Sequence, residues 1–77
     1  MIEIEDIRSI TKDYFATDWL KSKDEGTYFN AKESFKTLKE KIDSSGKFEG
    51  IKCLYEMHLG IQDFEKEYEV TIDLTSY

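Results

Sequence analysis

The side chains best suited to covalent chemistry in this chain are Cys53 and His58. A Cys–His pair works when thiolate and imidazole lie within hydrogen-bond reach. These two are five residues apart: on a strand they point to opposite faces, and on a helix they are also badly placed to meet. Cys53 then reads as a small core hydrophobe, and His58 as a solvent-facing side chain open to a partner. Zinc needs several Cys and His ligands, and the sequence holds one of each. The run Asp63-x-Glu65-x-Glu67-x-Glu69 has acids but not the central glycine of a calcium loop. Gly26, Gly46, Gly50 and Gly60 are scattered, and none opens a phosphate cradle. Carboxylates act as general acid and base where burial in a cleft raises one of them, and a domain of 77 residues has little interior for a cleft. No catalytic residue, metal site or cofactor is expected. The chain reads as a binding protein and not as an enzyme.

Charge and aromatic content then indicate what is bound. The net charge is −6, and residues 51–77 hold six acids against two bases. Direct nucleic-acid binding needs the opposite balance, because phosphates must be neutralised. A larger protein with a basic surface is the electrostatic complement. The acids at the end of the chain share one parity: Asp63, Glu65, Glu67, Glu69 and Asp73 are odd, while Phe64, Tyr68, Val70, Ile72 and Leu74 are even. On a strand such carboxylates form an outward row about 6.6–6.8 Å apart, a spacing that could match a file of Lys and Arg as a phosphate backbone does. Glu56 on a neighbouring strand widens the row. The plainer alternative is a solvated face, since antiparallel sheets often face water on one side and charged edges prevent aggregation. Aromatic side chains cluster around the first break in the pattern, and Trp19 and Tyr28 are the candidate anchors, aromatics being enriched at interface hot spots.

The elements that would position these groups follow from periodicity. Over Asp6–Lys23, the residues Ile4, Ile7, Ile10, Thr11, Tyr14 and Phe15 keep an amphipathic helical rhythm, with Ala16-Thr17-Asp18 as a point where it bends or breaks. Asn30 is a good N-cap with Glu33 three residues on, and Ala31, Phe35, Leu38 and Ile42 form one stripe, so a helix is expected over Ala31–Asp43. Ile51–Gln62 fits two templates. Apolar residues at odd positions from Ile51 to Ile61 give a strand; Ile51, Leu54, Tyr55, His58 and Leu59 share a helical face, with Gly60 as its stop. The strand accounts for more positions and is preferred. Lys66–Thr75 alternates as a strand should, and a hairpin joins the two. Ile2 and Ile4 offer a third, short strand over Met1–Glu5.

The expected fold is a single two-layer α+β domain over residues 1–77, in the order α-α-β-β. The single cysteine makes folding independent of an oxidising compartment. No apolar run is long enough to span a membrane, and the acidic N-terminus is unlike a signal peptide, so the cytoplasm is the expected location. The proline-free, Lys-, Glu- and Ile-rich usage suits a bacterial or phage gene. The function expected from size and charge is an acidic interaction module of inhibitor or immunity type, a nucleic-acid mimic that occludes a basic, nucleic-acid-handling surface. The partner contacts would be Glu65, Glu67, Glu69, Asp73 and Glu56, with Trp19 and Tyr28 as anchors. A regulatory or structural subunit that dimerises through its sheet edge is the alternative.

Overall fold

The structure, a computed structural model, describes residues 3–44 and 50–72. Three helices account for most of them: α1 (Asp6–Glu25), α2 (Ala31–Asp43) and α3 (Gly50–Tyr68). No strand occurs among the described residues. The α+β expectation is therefore overturned, and the described residues form an all-α fold.

The first two helices form where the sequence places them. In α1, Ala16-Thr17-Asp18 does not break the helix, because tertiary contacts hold that turn. Ala16 is buried, and the Asp18 carboxylate accepts a hydrogen bond from the Ser34 hydroxyl of α2 at 2.7 Å. The helix stops at Gly26, whose φ of 70° is the left-handed conformation of a helix C-terminus. The Thr27 N–H reaches back to the Ser22 carbonyl at 2.9 Å and closes the cap. The Asn30 side chain accepts the Glu33 N–H at 3.0 Å and starts α2.

The third helix replaces the expected hairpin. Its buried residues are Cys53, Met57, Ile61 and Phe64, with Tyr68 half-buried. They recur at helical intervals and span both parities, so one helical stripe unites what two strands would divide. The alternation that suggested a strand includes Ile51 and Tyr55, which the structure leaves 85% and 59% exposed. Residues 66–68 of the second expected strand complete α3, and 70–72 follow without strand pairing. Of the suggested N-terminal strand, Met1 and Ile2 lie outside the described residues. Ile4 instead accepts the Ile7 N–H in a turn that leads into α1 and packs on the core.

Contacts fix the helix directions. Phe15 meets Phe64 at 6.1 Å and Trp19 meets Tyr68 at 5.3 Å between ring centroids, so α1 and α3 run parallel. Asp18 meets Ser34 and Tyr14 meets Lys41, so α2 runs against α1. The result is an up-down-up three-helix bundle with two linked core clusters. One joins Ile7, Leu38, Ile42, Cys53 and Met57; the other joins Phe15, Ala16, Ile61 and Phe64.

Helices α1 and α3 approach tightly at Gly60. A Cβ there would collide with the Arg8 carbonyl oxygen and sit 2.8 Å from Thr11 Cβ. Gly60 is thus no helix stop but the hole into which α1 fits. The Thr11 hydroxyl, fully buried at this crossing, has no hydrogen-bond partner among the described residues. Gly60→Ala should therefore destabilise by about 2 kcal/mol, the overpacking cost exceeding the ~1 kcal/mol that Ala ordinarily adds to a helix interior. Thr11→Val keeps the shape and removes the orphan hydroxyl, and it should stabilise by about 1 kcal/mol. Urea denaturation of both variants checks the pair.

Candidate functional site

Helix α3 redistributes the acidic row. Asp63 and Glu67 are one turn apart, and both turn toward α1. Arg8 clasps Asp63 with two bonds, Nε to Oδ2 at 2.6 Å and a terminal nitrogen to Oδ1 at 2.9 Å. One turn on, Lys12 Nζ lies 2.9 Å from Glu67 Oε1. The Arg8 hydrogen bond holds the Asp63 carboxyl below its ordinary range, and the same bonds raise Arg8 and Lys12. Glu65 is half-buried, and its carboxylate accepts the Ile72 N–H at 2.7 Å. Glu69 follows α3 with a left-handed φ of 55°. Glu56 is half-buried close enough to Arg8 to favour its charge. Asp73 lies outside the described residues. Among the described residues the evenly spaced outward row does not form, because Glu65, Glu67 and Glu69 point in different directions around a helix end.

The two aromatic anchors also separate. Trp19 is half-buried against Phe64 and Tyr68, with Lys23 Nζ 4.7 Å from its ring centre. Tyr28, in the α1–α2 connection, is 90% exposed. Both border an open groove with Phe29, Ala31, Val70 and Ile72.

Cys53 and His58 lie on different sides of α3. Cys53 is buried between α2 and α3, and burial pushes its thiol up, away from the thiolate form. His58 is exposed on another side of α3, where its Nε2 faces Gln62 Nε2 at 3.2 Å. Among the described residues no three His, Cys, Asp or Glu side chains converge on a point that could hold a metal ion. No helix there is long and apolar enough to cross a membrane.

The structure presents one surface that the preferred strand assignment hid. Ile51, Leu54 and Tyr55 are 85%, 40% and 59% exposed, and with exposed His58 they line one side of the first two turns of α3. The helical template for this segment groups these residues, with Leu59, on one face. The core stripe is Cys53, Met57, Ile61 and Phe64, so the helix is apolar on two sides, and only one is covered. No family model matches this chain, and neither does any curated protein or solved structure.

The Arg8–Asp63 pair makes stability depend on pH in a definite direction. The folded carboxyl has the lower pKa, so its contribution is present above the unfolded value of about 3.9 and is lost as pH falls through the folded value. Asp63→Asn should be less stable than the parent at pH 7, and its stability should decline less steeply below about pH 4. Urea titrations from neutral to strongly acidic pH test this.

Proposed function

We propose that this chain is a small, non-catalytic acidic interaction module, of inhibitor or immunity type, that docks on a basic surface of a larger protein. One observation carries the proposal: Ile51, Leu54 and Tyr55 lie exposed on one side of a helix whose other side builds the core. A domain of this size has few large apolar side chains to spare, and Tyr in particular favours interface hot spots. Adjacent apolar exposure on one helical face is the pattern of a helix that fills a partner's groove.

Charge supports the choice of partner. Each internal ion pair takes one charge of either sign, so the surplus of six acids is untouched by Arg8–Asp63, Lys12–Glu67 and Lys39–Asp43. A surface rich in Lys and Arg, such as one that handles nucleic acid, is the complement, and long-range attraction would speed encounter. The geometric basis for mimicking a phosphate backbone was the evenly spaced row, and the partner is now defined by overall charge and an apolar groove. Dimerisation through a sheet edge has no strand to use among the described residues. We place the module in the cytoplasm, since its one cysteine requires no oxidising compartment.

The test compares the parent chain with the triple variant Ile51→Ser, Leu54→Ser, Tyr55→Ala as immobilised baits, at low and high salt. The variant alters exposed positions, so its helical circular dichroism and melting should match the parent. Proteins retained by the parent should be basic, should be lost by at least tenfold on the variant, and should weaken as salt rises. Retention that is equal on both baits, or that ignores salt, would contradict the proposal.

A further inference from the structure

Beyond α3 the chain turns back onto the bundle. The Val70 N–H bonds to the Glu65 carbonyl at 3.1 Å, a Schellman closure with Glu69 in the left-handed position. The Ile72 N–H then bonds to the carboxylate of the same Glu65 at 2.7 Å. One residue of α3 thus holds the returning strap by both its main chain and its side chain. The side chains of Val70 and Ile72 lie on the second core cluster beside Trp19, Phe29 and Ala31.

Three features mark the strap as an occupant of this surface more than a part of the bundle. Its side chains are only half-buried, whereas Phe15 and Phe64 beneath are fully buried and contact each other directly. The residue that leads into it, Glu69, holds the left-handed conformation that disfavours residues other than glycine. Its polar anchorage is borne by Glu65, whose half-buried carboxylate would need a new donor if the strap left. The receptor is therefore a pair of shallow apolar positions over Trp19, Phe29 and Ala31, plus one acceptor for a backbone N–H. That set recognises an extended segment with apolar side chains two residues apart.

We infer that the strap is a self-inhibitory contact: an extended segment of a partner, apolar at alternate positions, displaces Val70–Ile72 and takes over the bond to Glu65. This surface is separate from the exposed stripe of α3, and the inference stands without it.

Two measurements test it together. In the parent chain, native-state hydrogen exchange should release the Ile72 amide at least tenfold faster than the Met57 and Phe64 amides, through opening that leaves the helices intact. In the double variant Val70→Ser, Ile72→Ser, a capped peptide of the chain's own 68–72 sequence, Tyr-Glu-Val-Thr-Ile, should bind at least tenfold more tightly than to the parent, read by Trp19 fluorescence. The same peptide with Ser for Val and Ile should not bind. Exchange of Ile72 only at the global unfolding rate overturns the inference. So does a double variant that loses its helical signal, since the strap would then be part of the core. Failure of the peptide to discriminate between the two chains overturns it as well.

Discussion

The contact between Gly60 of α3 and the Arg8–Lys12 turn of α1 governs the rest of the structure. There the backbones come so close that a single methyl group has no room. Such proximity lets Ile7 and Met57 share one core cluster and Phe15 meet Phe64 in the other. It also brings Arg8 and Lys12 within reach of Asp63 and Glu67. A glycine in a helix interior lowers intrinsic helix stability, and here that loss is offset by packing along the length of both helices. The unpaired Thr11 hydroxyl is a second local cost of the same contact.

Once α1 and α3 are set side by side, the remaining surfaces follow. Helix α2 closes the cores from one flank with Leu38 and Ile42, helped by the Ser34–Asp18 bond. The ion-pair ladder covers the other flank of α3. The side carrying Ile51, Leu54 and Tyr55 is left open, and with the acidic surplus it forms the basis of the proposed interaction. The exposed ion pairs contribute modestly to stability; their larger effect is to fix which acids face inward to α1 and which remain available to a partner.

Legibility in the sequence tracked locality. Helix α2 was readable to its ends because Asn30, Glu33 and the stripe from Phe35 to Ile42 are all local signals. In α1 the rhythm was readable, but continuity through Thr17 and Asp18 depended on Ser34, sixteen residues away. Helix α3 misled for two physical reasons. Apolar residues on both its covered and open sides blur a helical period into an alternating one, and Gly60 looks like a stop unless the approach of α1 is known. Its true end at Tyr68 is followed by the left-handed Glu69, with no glycine to announce it. The acidic row failed in the same way. Parity was visible, whereas the partners of Asp63 and Glu67 lie fifty-five residues earlier. The exposed face was present in the sequence as a grouping of residues, and only the packing of α3 decides which of its two apolar sides is covered.

The most direct measurement is the set of nuclear Overhauser contacts around Gly60 in the intact chain. Strong cross-peaks are expected between the Gly60 α-protons and the Thr11 side chain, with sequential helical contacts unbroken from residue 51 to residue 68. Cross-strand contacts between residues 51–62 and 66–75, with none from Gly60 to Thr11, would contradict it.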